Sequence, residues 1–207
     1  MGHQMKLYDS VRAPNPRRVR LFLKEKGIEI PTVTIDLGAF EHRETPFTKV
    51  NPLQRTPALA LEDGTVITES VAICRYFEEI QPEPNLFGRT PLERALVEMW
   101  NRRVELELFI PITHVFRHGH PGMAKHEVPQ VADWAEVNRP KVMQGLALLD
   151  EQLSKTPFLA GDAFSIADIT ALCAIDFMKP TKTRVPDEMT ALLQWHHAVS
   201  SRPSATA

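Results

Sequence analysis

The chain has 207 residues, with 24 basic against 26 acidic side chains, 43% hydrophobic and 24% charged residues. It is long enough to bury a core without staples, and its composition is that of a folded globular protein. The formal charge of −2 gives no electrostatic case for nucleic acid or an anionic membrane. Cys74 and Cys173 form no CxxC pair, which excludes a dithiol redox centre or a zinc ribbon. Each lies in an apolar helical stretch and reads as a buried, inert thiol. No signal-peptide pattern opens the chain and no apolar run reaches about 18 residues, so a cytoplasmic protein is expected.

In chain order, Met5 to Tyr8 reads as a short strand. Asn15-Pro16 then offers an N-cap and a proline at the first helical position. Val19, Phe22 and Leu23 form that helix's apolar stripe, and Gly27 is its stop. Thr32 to Asp36 alternates as a strand, and residues 38–49 suit a loop with a short helix. Pro57 to Leu61 and Thr65 to Thr68 flank Asp63-Gly64, a hairpin signal. A helix follows from Glu69 to Glu79. The order β-α-β-α-β-β-α is the thioredoxin-like pattern.

After Gln81 no strand is expected. Thr90-Pro91-Leu92-Glu93 is a capping box opening a long helix through about Phe109, which Pro111 should kink or end. A loop rich in His, Gly and Pro spans 117–129. A helix over roughly 131–154 carries Trp134, Leu146, Leu149 and Leu153 as core candidates, with a bend at Pro140. Ser165-Ile166-Ala167-Asp168 is a further capping box, and its helix runs to about Phe177. A last helix covers roughly 187–200. The expected fold is an α+β, thioredoxin-like N-terminal domain (1–82), a linker (83–89) and an all-α C-terminal domain (90–207).

Four features of the first domain suit a γ-glutamyl tripeptide, though each has a plainer reading. A cis proline at Thr56-Pro57 would turn the Thr56 backbone outward to pair with an extended peptide; a trans proline would merely open a strand. Glu69-Ser70 opens a helix, where free N–H groups and the Ser70 hydroxyl suit a carboxylate and Glu69 an ammonium, or where both simply cap. His42 and Arg55 are a basic pair for a second carboxylate, or solvated surface. The loop from Ser10 to Asn15 brings a helix N-terminus beside the first strand, an environment that favours a thiolate.

The runs 13–20 (Ala13-Pro14-Asn15-Pro16 through Arg20), 51–59 (Asn51-Pro52 through Leu59) and 63–73 (Asp63-Gly64 through Ile73) resemble the soluble glutathione transferases. So do Phe158 to Asp162 and Phe164 to Asp168 in the second half. The resemblance covers nearly the whole chain, in order. It implies a homodimer that uses reduced glutathione as cosubstrate, without a metal, in detoxification. It puts Thr56, Pro57, Glu69 and Ser70 on glutathione, with His42 and Arg55 near its glycine end. Asp168 reads as structural.

The residue that activates the thiol departs from the usual families, which use a Tyr, Ser or Cys. That position falls on Ala13, which cannot donate a hydrogen bond. Ser10 lies three residues upstream, and Tyr8 sits in the strand near the position of a tyrosine class. Glu105-Leu106-Glu107-Leu108 through Pro121-Gly122 resembles an atypical fungal and bacterial group that lacks the usual residue. Thr113 and Arg117, four apart on one helical face, are then candidates to assist Asn15 and the first helix's N-terminus. His114, His118, His120 and His126 match no defined zinc spacing and carry no metal expectation. Phe109, Ile112 and Phe116 either line an acceptor pocket or pack between domains. The expected function is glutathione transfer to an electrophile, peroxide or disulfide; the alternative is a non-catalytic interaction module of the same fold.

Overall fold

The structure, a computed structural model, describes residues 4–207. It divides into two compact units, the described residues up to 85 with 206–207, and residues 86–205.

The first unit is built on β1 (Lys6–Asp9), α1 (Pro14–Lys26), β2 (Thr32–Thr34), the short α2 (Phe47–Val50), β3 (Ala58–Ala60), β4 (Val66–Thr68) and α3 (Ser70–Ile80). The sheet order is β2-β1-β3-β4, with β1 parallel to β2 and the other pairs antiparallel. Asp63 accepts from the Thr65 N–H and Gly64 takes a positive φ of 88°, so the Asp-Gly turn closes the hairpin as its residues require. Gly27 ends α1 in the left-handed region, φ 65°, returning its N–H to the helix.

The start of α1 corrects the sequence reading. Ala13 is the N-cap, extended at φ −87° and ψ 137°, and Pro14 is the first helical residue. The Pro14 ring has the fixed φ of a helix start and no N–H to satisfy, so it displaces Asn15 from the cap into the first turn.

The second unit is helical: α4 (Pro91–Arg103), a π-helical stretch (Val104–Phe109), α5 (Ile110–Gly119), α6 (Ala132–Leu153), α7 (Ile166–Asp176) and α8 (Thr190–Ser200). At α4 the capping box forms in both directions between Thr90 and Glu93. Pro111 does not end the helix, which runs on through α5. Its ring would meet the carbonyl four residues back, and the π stretch immediately before it supplies the extra backbone residue that relieves the clash. The Glu107 carbonyl then approaches α6 so closely that a Cβ on Gly145 would sit 2.5 Å from its oxygen. Leu146 and Leu149 are fully buried, whereas Trp134, expected in the core, is 41% exposed. Its ring packs against His114 and under the Lys141 amine, a surface cluster that hydrophobicity alone misreads.

Asp168 is wholly buried. Its carboxylate accepts the Ser165 N–H and hydroxyl at 3.0 Å, the Leu159 N–H at 3.1 Å and the Trp195 indole N–H at 3.0 Å. One side chain thereby fixes the 158–165 turn, the start of α7 and the face of α8. Cys74 and Cys173 are buried and form no disulfide. No described helix is long and apolar enough to cross a membrane.

Candidate functional site

Strand register assembles the candidate site of the first unit. Tyr8 pairs Ala58 antiparallel, so two residues onward Ser10 stands opposite Thr56. Ala58 pairs Thr68 at the end of β4, and Ser70 starts α3 two residues further on. Asp9 pairs Thr34 in parallel, which sets Ser10 beside Ile35. Ile35, Ser10 and Thr56 therefore form a row across the end of the sheet, and Ser70 stands at the start of α3 just past the last residue of β4. Hydrogen bonds run along part of it: the Ser10 hydroxyl donates to the Ile35 carbonyl at 2.8 Å, and the Thr56 hydroxyl donates to Ser10 Oγ at 3.1 Å.

The Thr56–Pro57 peptide is cis. Among the described residues neither the Thr56 N–H nor its C=O has a hydrogen-bond partner, which leaves a short open edge of main chain. Asn51 Nδ2 donates to the Arg55 carbonyl at 2.6 Å and holds the preceding turn. Glu69, at φ 65° and ψ 118°, is the N-cap of α3 in a conformation that non-glycine residues rarely adopt. Its carboxylate is exposed and has no partner among the described residues. Ser70 is buried and accepts a hydrogen bond at 3.0 Å from the guanidinium of Arg18, a side chain only 2% exposed. Sequence patterning assigned Arg18 no role. Its signal is position: it lies one helical turn before Phe22, on the buried stripe of α1, where a charge must be spoken for.

The first turn of α1 offers a sparse set of donors. Pro14 and Pro16 have no N–H, so the Asn15 N–H is the free main-chain donor there, backed by the positive end of the helix. Ser10 is buried behind this turn. Its hydrogen is given to Ile35, and donation to a sulfur would break that bond. The Tyr8 ring packs against Phe47 and under the Lys6 amine. His42 is buried and stacks on Phe40, while Arg55 is exposed.

In the second unit Thr113 and Arg117 lie one turn apart on α5. Thr113 donates to the Phe109 carbonyl at 2.9 Å, and Arg117 pairs with Glu127 at 2.9 Å. Ile112 is fully buried and Phe109 5% exposed, while Phe116 keeps an accessible face beside Phe177. The histidines hold the loop after α5: His118 Nδ1 accepts the Val131 N–H and His120 Nδ1 the Gly122 N–H. Among the described residues no group of three or more His, Cys, Asp or Glu is placed to hold a metal.

The first unit thus presents an open main-chain edge, a hydroxyl and a carboxylate at one helix start, and a second helix N-terminus, on a thioredoxin-like scaffold. Comparison with known proteins bears on the family. The family model "Glutathione S-transferase, N-terminal domain" matches residues 3–79, and "Glutathione S-transferase, C-terminal domain" matches residues 110–203. The chain is 38% identical over 207 residues to Glutathione S-transferase 2 of Saccharomyces cerevisiae, covering 99% of this chain and 89% of that protein. The crystal structure of Gtt2 from Saccharomyces cerevisiae superposes with a TM-score of 0.92 at 37% identity, over 97% of this chain and 98% of that one. A glutathione S-transferase of class Gtt2 from Vibrio parahaemolyticus gives 0.84 at 34% identity, over 96% and 94%. The chain belongs to the glutathione S-transferase family. Its function is that of a glutathione transferase, and nothing in these comparisons favours the non-catalytic alternative.

Proposed function

We propose that this glutathione transferase holds reduced glutathione at Thr56 and Ser70 and activates its thiol without a Tyr, Ser or Cys of its own, as in the atypical fungal and bacterial group. The observation that carries this reading is their placement: an open Thr56 main chain, the Glu69 carboxylate and the Ser70 hydroxyl lie at one sheet end beside the N-terminus of α1. Thr56 pairs with the cysteinyl backbone as an added strand. Ser70 and the α3 N-terminus take the γ-glutamyl carboxylate, Glu69 takes the ammonium, and His42 and Arg55 serve the glycine end.

The thiolate is stabilised by the Asn15 N–H and the α1 dipole, with Thr113 and Arg117 assisting and Ser10 keeping the loop in place. A free thiol of pKa about 8.5 is only a few per cent ionised at neutral pH, so a modest drop multiplies the reactive fraction. The thiolate then attacks an electrophilic carbon, a peroxide or a disulfide held near Phe116. In this reading residues 1–82 bind glutathione, 83–89 link, and 90–207 supply the acceptor pocket of a cytoplasmic, homodimeric detoxification enzyme.

The variant Thr113→Ala/Arg117→Ala tests the assisting role. A rise of about one unit in the bound thiol's pKa and a turnover loss of about tenfold are expected. Unchanged values for both would remove the two residues from the mechanism and leave the α1 N-terminus alone.

A further inference from the structure

We propose that Arg18 is a positioning residue for glutathione, orienting the Ser70 hydroxyl and placing a buried positive charge behind the γ-glutamyl carboxylate. This rests on the reading of Ser70 given above.

The geometry is specific. Arg18 Nη1 donates to Ser70 Oγ at 3.0 Å, and both side chains are buried, 2% and 5% exposed. A serine hydroxyl has one hydrogen and two lone pairs. With one lone pair taken by the guanidinium, the Ser70 hydrogen must point away from Arg18. Among the described residues no acceptor receives it. A serine at the start of a helix ordinarily spends its hydroxyl on a nearby backbone group. Here Arg18 fixes it as a donor directed at whatever occupies the start of α3.

Two effects follow from the charge. A hydrogen bond donated by a guanidinium is stronger than a neutral one, and it polarises the O–H it feeds. The buried cation also adds to the positive field of the α3 N-terminus, in surroundings where screening by salt is weak. Arginine suits the position because its charge persists at every accessible pH. Both effects favour a carboxylate at Ser70 and do nothing for a ligand without one. Arg18 therefore controls which ligand is preferred, acting through Ser70 without touching the ligand.

The test compares two ligands on four proteins: wild type, Arg18→Met, Ser70→Ala and the double variant. The ligands are reduced glutathione and 4-aminobutyryl-cysteinyl-glycine, which is glutathione without its γ-glutamyl carboxylate. Affinities come from calorimetry, with thermal unfolding as the check on folding. Wild type should prefer glutathione. Arg18→Met should cut that preference about tenfold while its affinity for the analogue stays within about twofold. In the Ser70→Ala background the same substitution should change the preference much less.

Equal weakening of both ligands by Arg18→Met would make Arg18 merely structural and overturn the proposal. An undiminished preference would do the same. If Arg18→Met does not fold, Arg18→Lys takes its place; it retains the charge without the planar donors and should lie between wild type and Ser70→Ala. A lysine variant with wild-type preference would then overturn the orienting role. Failure of the underlying reading looks different: wild type would show no preference for glutathione, and Ser70→Ala would change nothing.

Discussion

Asp168→Ala is expected to destabilise the protein by about 4 kcal/mol or more, through buried donors left without acceptors at about 1–3 kcal/mol each. The carboxylate takes four hydrogen bonds, from Leu159, twice from Ser165, and from Trp195. The side chain is wholly buried, so truncation leaves these donors away from bulk solvent. Asp168→Asn should cost less, since the amide retains one accepting oxygen but turns its NH2 toward a donor. Equilibrium urea unfolding of the two variants checks the order, and an alanine variant within about 1 kcal/mol of wild type would contradict it.

The same group makes a pH prediction. Burial pushes the Asp168 carboxyl up from 3.8 to about 6, against the lowering effect of its hydrogen bonds. The folded state thus holds this proton more tightly than the unfolded chain does. Its contribution is fully present below about pH 4 and is lost as the pH rises through about 6. The stability of wild type relative to Asp168→Asn should fall across that interval and level off above it.

The second large effect is expected at Lys26, whose side chain is fully buried at the end of α1. Its amine contacts Glu78 Oε2 at 2.5 Å and donates to the carbonyls of Gln81 at 2.9 Å and Pro84 at 2.6 Å. Asn85 Nδ2 donates to the other Glu78 oxygen, and Gln81 Nε2 donates back to the Lys26 carbonyl. The network ties α1 to α3 and to the segment that follows α3. Lys26→Met leaves a buried carboxylate without its cation, and about 3–5 kcal/mol of stability should be lost. Lys26→Met/Glu78→Gln should recover much of this, because it removes the buried carboxylate's charge as well. A double variant no better than the single one would show that the amine's carbonyl contacts, and not the ion pair, dominate.

Much of this architecture was legible before the structure. Asp63-Gly64, Gly27 and the boxes at Thr90 and Ser165 are local signals whose geometry depends on few neighbours, and they set the element order of the first unit and two helix starts of the second. Thr56, Glu69 and Ser70 were visible as a set because each lies at a strand or helix boundary. Other features depend on partners distant in the chain. The competition between Pro14 and Asn15 for the start of α1 is decided by ring geometry, not by capping preference. Passage of the helix through Pro111 needs the π stretch before it, and that needs Gly145 across the helix pair. Trp134 looks like core by type and is surface by placement. Arg18 counts as a solvated cation until the fold brings Ser70 to it. Ser10 carries a suitable hydroxyl, yet its hydrogen is claimed by Ile35, 25 residues away.

Activation of glutathione at a site with alanine at position 13 is the crux of this mechanism. It is tested most directly by titrating the thiolate absorbance of glutathione bound to the wild-type protein. A bound-thiol pKa of about 7 or below is predicted, against about 8.5 for a free thiol. A bound thiol that titrates at the free value would contradict it, because the Asn15 N–H and the α1 N-terminus would then hold glutathione without activating it.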